Sequence, residues 1–297
     1  MSRRLVLATV VLVAALIGGN FSALKFALDH TTPFLLASMR TVIGGTFLIV
    51  IARMRGEEFP KRVADYRNIF VVGFSITTVS SALLVFGVNR VPAGLASLAS
   101  STMPLFTAVL SLMLLGTKTS ARGRVGLLVG FVGAAVLASP SLGGSTAAIG
   151  ILSLIGGAVT WAFGTVYMKW KDFSAISPIM LVGVQLLMSA SMLVPFALIV
   201  EGTAETDWGI GLLLPLLFAA IPANAVTFSL MATVVKRATP TVAASTAYMI
   251  PAFGVLFGWL LRGERLGVVE AFGGLLVVVG VYIVVGVGSR PVDVRRG

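Results

Sequence analysis

The chain of 297 residues contains no cysteine, one histidine and only 11 acidic residues. Without cysteine there can be no disulfide, thiolate metal site or cysteine nucleophile. The lone histidine, His30, falls in a turn, and the acids do not gather on facing segments. A metal-dependent or acid–base enzyme therefore lacks its parts, and neither enzymatic activity nor a cofactor is expected. No G-x-x-x-x-G-K-[ST] phosphate loop is present, so the chain does not hydrolyse nucleotides itself. No connecting segment exceeds about fifteen residues, which leaves no room for a second, soluble domain.

What the chain has instead is apolar length. Hydrophobic residues make up 57% of it and charged residues 11%, with a mean hydropathy of +1.02, a composition that belongs in a bilayer. Crossing the hydrocarbon takes about 20 apolar residues. Ten such runs lie near 5–28, 33–53, 68–88, 93–116, 124–139, 147–169, 176–199, 209–235, 240–262 and 267–287. Ser2-Arg3-Arg4 ahead of the first run imitates a secretion signal, but that run has a counterpart at 147–169 and is expected to be part of the fold.

The formal net charge of +11 would suggest nucleic acid in a soluble protein. Here topology accounts for it. With the amino terminus inside, 17 of the 22 Lys and Arg fall on cytoplasmic segments, and only Arg90, Arg262 and Arg265 fall outside. The positive-inside rule thus places both termini in the cytoplasm, and no nucleic-acid partner is expected.

The back half repeats the front half. At a constant offset of 147, Pro104 falls on Pro251, Phe106 on Phe253, Leu114 on Leu261, Gly116 on Gly263, Gly126 on Gly273 and Gly133 on Gly280. With small slips in spacing, Pro33, Leu36 and Arg40 fall on Pro178, Leu181 and Gln185. The expected architecture is all-α, with ten transmembrane helices in two inverted five-helix repeats, residues 1–143 and 144–297, around a central cavity. Five crossings per unit turn the second unit upside down, the arrangement from which alternating access is built.

Prolines at matching depth mark the candidate pathway. Pro104 and Pro251 each lie near mid-membrane, where each frees a carbonyl, near residues 100 and 247; Pro222 interrupts the eighth span. These are either gating kinks or plain packing kinks. The approach to the first is polar, with Ser97, Ser100, Ser101 and Thr102, and helical spacing carries the stripe Ser97, Ser101, Pro104 onto Ala244, Tyr248 and Pro251. The Tyr248 hydroxyl is expected to meet either the cavity or a serine on a neighbouring helix. Asn224 beside Pro222, with Ser75, Thr77 and Thr78 in the matching stretch of the third span, offers donors and an acceptor for a polar substrate; of the three hydroxyls Thr78 is the expected contact. Asn20 in the first span is costly at its depth unless paired, and Trp161 in the sixth lies too deep for an interfacial anchor; both are expected to line the cavity, together with Phe21, Met103 and Met249. Trp170 and Trp208 sit at helix ends as belt residues.

Two cations fall within spans. Lys25, one turn from the outer end, is expected to snorkel. Arg40 is deeper and needs a partner, either Glu270 near the end of the tenth span or a substrate carboxylate. With Glu270 the only plausible intramembrane acid, a facilitator running down its gradient is favoured over a proton-coupled carrier. The glycines of the fifth span (Gly126, Gly130) and tenth span (Gly273, Gly280) are expected to serve close helix packing in a monomer.

These residues together resemble the drug/metabolite transporter superfamily and, within it, the EamA-type ten-helix carriers. The likeness rests on Gly19-Asn20-Phe21, Arg40, Pro104, Pro251, Gly263-Glu264 and the glycines Gly273, Gly274 and Gly280, and spans residues 5–287. One departure is Gly116-Thr117, where the family pattern has Gly-Glu; it leaves Glu264 as a structural cap. The general look is similar to the YddG-type aromatic amino acid exporters. The resemblance implies a multi-pass protein of the bacterial inner membrane that exports amino acids, aromatic and other neutral ones, or related small metabolites. The alternatives are a proton-coupled exporter of another metabolite or drug, and a passive channel.

Overall fold

The computed structural model describes residues 3–116, 120–141, 146–171, 173, 175–202, 206–227, 230 and 246–288. These form ten helices in chain order: α1 (Arg3–Leu28), α2 (Pro33–Met54), α3 (Val63–Val88), α4 (Ala93–Leu115), α5 (Ala121–Ala138), α6 (Thr146–Trp170), α7 (Pro178–Val200), α8 (Ile210–Val226), α9 (Thr246–Arg262) and α10 (Val268–Gly288). Eight are long and apolar enough to cross a membrane; α8 and α9 are shorter among the described residues. The expected far end of the eighth span, the start of the ninth at 240–245 with Ala244, and Thr117 all lie outside the described residues.

The helices begin and end where local chemistry dictates. Pro33 and Pro178 open α2 and α7, at the first helical turn where a missing N–H costs nothing. The hydroxyls of Ser120 and Ser177 accept from the Gly123 and Met180 amides at 3.1 Å, capping α5 and α7. Gly56, Gly116, Gly202 and Gly263 take positive φ immediately beyond α2, α4, α7 and α9, where a side chain would be strained.

Packing follows a two-fold pattern. α1 lies on α9 as α6 lies on α4; α1 also meets α8 as α6 meets α3. α2 pairs with α7 and α5 with α10, each helix against its own repeat counterpart. The α5–α10 pair is the tightest. A Cβ on Gly280 would run into the backbone of Gly130 and would lie 2.7 Å from the Gly126 carbonyl oxygen, and one on Gly133 would lie 2.6 Å from the Val277 nitrogen. Only glycine permits backbones this close, as the expectation of glycine packing held. Both helices stand beside the bundle, and lipid-facing side chains such as Leu128, Val132, Phe272 and Leu275 are exposed.

Three helices depart from regular α geometry. α4 breaks at Ser101–Thr102 and restarts at Met103, with Pro104 in the new first turn. Pro251, its counterpart, sits inside the continuous α9, so the paired kinks expected from the repeat are realised in one half among the described residues. α3 and α8 widen into π-helical stretches at Gly73–Val79 and Ile221–Val226, at equivalent positions of the two repeats. In α8 the cause is Pro222, whose missing N–H cannot join the regular ladder. Such stretches recur at functional sites.

Candidate functional site

Both π-helical stretches turn toward one small interior cavity of about 20 Å3, large enough for a water molecule. It is lined by Arg40 and Thr41 of α2, Ile76, Thr77, Ser81 and Leu84 of α3, Trp161 of α6, Val182, Gln185 and Leu186 of α7, and Asn224 of α8. The repeat relates its polar members in pairs. Arg40 and Gln185 are counterparts, as are Thr77 and Asn224. The cavity therefore sits between the halves, and its two sides differ in charge.

On one side the polar groups satisfy each other. Gln185 donates from Nε2 to the Thr77 hydroxyl at 2.8 Å, and Ser189, one turn on, donates to the Gly73 carbonyl at 3.0 Å. On the other side Arg40 is 7% exposed, and its Nε and Nη1 are buried with no hydrogen-bond partner among the described residues. The Ser81 hydroxyl is likewise buried without a partner there. A buried guanidinium without a counter-charge is expensive, and such a group inside a membrane marks a site. Its planar fork suits a carboxylate held by two parallel hydrogen bonds. Trp161 supplies an aromatic surface beside it.

Of the residues expected to form the site, the structure brings Arg40, Trp161 and Asn224 together at this cavity. The others are placed elsewhere. Ser97 is fully buried and donates to the Gly94 carbonyl at 2.7 Å, where it packs against Gly254 of α9. Ser101 donates to the Ser97 carbonyl at 2.7 Å; these hydroxyls are spent on their own helix. The Ser100, Thr78 and Asn20 oxygens are buried without partners among the described residues, but none of the three lines the cavity. Phe21 belongs to the main apolar core with Leu24, Leu36 and Leu95. Met103 accepts from the Thr107 hydroxyl at 3.4 Å. Met249 is half-buried on α9; Pro104 and Pro222 shape their helices, Pro251 sits in an unbroken one, and none of the three lines the cavity.

Tyr248 departs furthest from its expected place. It packs with Leu105, Ala134, Val277 and Val281, edge-to-face on Tyr282 at 5.5 Å, on the side of α9 that faces α10. The stripe transferred from α4 assumed that α9 presents the same face, and the break in α4 removes that equivalence. Among the residues missed, Thr41 and Ser81 carry no signal that separates them from the many other hydroxyls of these spans, whereas Thr77 was legible as the counterpart of Asn224. Gln185 was legible as the counterpart of Arg40.

Charges at the helix ends are structural. Lys25 reaches the end of α3 and the connection that follows it, where its Nζ donates to the carbonyls of Val88, Asn89 and Val91 at 2.9, 3.2 and 3.1 Å and offsets the negative helix end. Glu264 accepts from the Ala93 and Gly94 amides at 2.9 and 3.1 Å, the cap expected of it. Glu201 accepts from the Phe34 and Leu35 amides at 3.1 and 2.9 Å. Arg262 pairs with Asp29 at 2.8 Å. Glu270 lies in the first turn of α10 against Gly267, on a helix whose neighbours are α4, α5 and α9, so it is not the partner of Arg40.

The chain matches the EamA-like transporter family twice, over residues 4–139 and 148–286. It is 31% identical over 280 residues to the uncharacterized transporter YvbV of Bacillus subtilis, covering 93% of this chain and 91% of that one. It is 26% identical over 283 residues to a probable amino-acid metabolite efflux pump of Escherichia coli, covering 92% of each. A crystal structure with 19% identity shares the fold at a TM-score of 0.64, over 96% of this chain and 98% of that one. Two matches that together span nearly all ten helices, and relatives named as transporters, identify this chain as a membrane transporter of the EamA-like transporter family.

Proposed function

We propose that the chain exports amino acids, or small metabolites derived from them, across the bacterial inner membrane by alternating access and without a coupled ion. The observation that carries this reading is the unpaired Arg40 guanidinium beside Trp161, Gln185 and Asn224 in a cavity between the two repeats. It offers a carboxylate anchor, amides for polar groups and an aromatic wall for a side chain. The E. coli relative named as an amino-acid metabolite efflux pump supports the substrate class.

In this reading residues 1–143 and 144–297 act as the two inverted units of a monomer, with both termini in the cytoplasm as the cation distribution favours. At about 20 Å3 the cavity is far too small for an amino acid, so helices must part to admit one. That supports a saturable carrier over a passive channel. Uncoupled transport is supported by the acids, since every described carboxylate lies in a helix end turn or a connection, away from the cavity. The test is flux of labelled phenylalanine, tryptophan, threonine and methionine, with the corresponding 2-oxo acids, in proteoliposomes with and without a proton gradient. Saturable flux indifferent to the gradient and weakened in Trp161→Ala is expected. No flux of any of them above empty liposomes refutes the substrate class, and strong proton dependence refutes the uncoupled mechanism.

A further inference from the structure

We propose that the ion this cavity carries is a net monoanion, a carboxylate with an apolar or aromatic chain and no ammonium group, such as a 2-oxo acid. This rests on the reading of the cavity as the substrate site and narrows its substrate by charge.

The argument is one of charge balance. The site contains one cation, Arg40, buried and without a partner among the described residues. A zwitterion would bring a carboxylate to satisfy it and at the same time an ammonium that needs an anion of its own. No described acid is there to serve. Glu57 holds the Ser177 hydroxyl, Glu58 pairs with Lys61, Asp29 with Arg262 and Asp207 with His30. Glu201 and Glu264 cap α2 and α4, and Asp65 and Glu270 sit in the first turns of α3 and α10. The remaining three acids, at 172, 205 and 293, lie outside the described residues, and the sequence has none in the stretch 228–245.

Among the described residues, what faces the cavity besides Arg40 is neutral. Gln185 Nε2 is engaged with Thr77 and the Thr41 hydroxyl with the Ser38 carbonyl, leaving the Asn224 amide, the Ser81 hydroxyl and the Trp161 ring. Amide and hydroxyl dipoles suit a keto or hydroxyl oxygen next to a carboxylate. They do not replace the counter-charge that an ammonium loses on leaving water. A monoanion leaves the loaded site neutral, which is the cheapest state to carry through the low-dielectric interior.

The test compares pairs that differ only at the amino carbon: labelled phenylalanine with phenylpyruvate, and leucine with 4-methyl-2-oxopentanoate. Flux is measured at pH 7.5 in proteoliposomes of the full chain, with a potassium diffusion potential of either sign. Expected is oxo-acid flux about tenfold or more above that of the matching amino acid, with direction and rate following the potential because each cycle moves one negative charge. Arg40→Gln should abolish the potential-dependent flux, while Arg40→Lys, which keeps the charge and loses the fork, should retain it with weaker saturation. Amino acids moving as fast as their oxo acids, with no effect of potential, overturn this inference and leave the exporter reading intact. Flux of neither class overturns both.

Discussion

Replacing Arg40 with glutamine should make the empty transporter more stable, although most substitutions of a buried residue do the opposite. An unpaired ion in a protein interior carries a penalty of several kcal/mol after relaxation, about 3 kcal/mol at the low end. Glutamine keeps the first two side-chain carbons and loses one methylene of packing, about 0.8 kcal/mol. The amide also matches the arrangement already present on the other side of the cavity, where Gln185 bonds Thr77; its counterpart there is Asn224. A net gain of about 2 kcal/mol follows, which at 2 to 4 °C per kcal/mol raises the melting temperature by roughly 4 to 8 °C. The assay is thermal unfolding of purified protein in detergent, with and without a saturating carboxylate substrate. Ligand should raise the melting temperature of the wild type and not that of the variant. A variant that melts several degrees lower than the wild type would show that Arg40 has a structural counter-charge, and the site argument would fail with it.

Glu264→Gln removes the charge that caps α4 and should cost about 1 kcal/mol, read as a melting temperature lower by a few degrees with substrate preference unchanged. Gly280→Leu must drive α10 off the Gly130 backbone; overpacking costs about 1 to 3 kcal/mol where neighbours can yield, and backbone cannot, so loss of folded protein in detergent size-exclusion is expected, whereas an intact elution peak would refute the contact. Trp161→Ala should raise the half-saturation concentration for aromatic substrates at least about tenfold in flux assays while leaving small aliphatic ones less affected. Gln185→Leu leaves the Thr77 hydroxyl without its donor and should lower stability by about 1 kcal/mol in the same unfolding assay.

The ten helices were legible because each carries its own signal of length and polarity, and the repeat checked one half against the other. The residues Arg40, Trp161 and Asn224 were legible for a related reason: each is costly in an apolar span unless something at that depth uses it. Hydroxyls lack this property. Ser97 and Ser101 return their protons to their own helix carbonyls, whereas Thr77 receives one from α7, and nothing in the sequence separates the two behaviours. Tyr248 shows the limit of the repeat itself. A constant offset transfers depth along a helix but not rotation about its axis, and a break such as that at Ser101–Thr102 resets the rotation. The π-helical stretch at Ile221–Val226 announces itself through Pro222, while its counterpart at Gly73–Val79 contains no proline.

The glycine contact between α5 and α10 joins the last helix of one repeat to the last helix of the other. Glycine has no rotamers, so this contact can form and reform without freezing any side chain, and its cost is the same in every conformation that preserves it. Two backbones in direct touch cannot slide along each other without losing the whole contact, but they can swing about the point where they cross. If the halves rock against one another as the proposed alternating access requires, this close contact at residues 130 and 280 is where a fulcrum would lie. On the alternating-access reading proposed above, the bundle that holds Arg40 would be the lever arm, with its smallest displacement where the glycines meet.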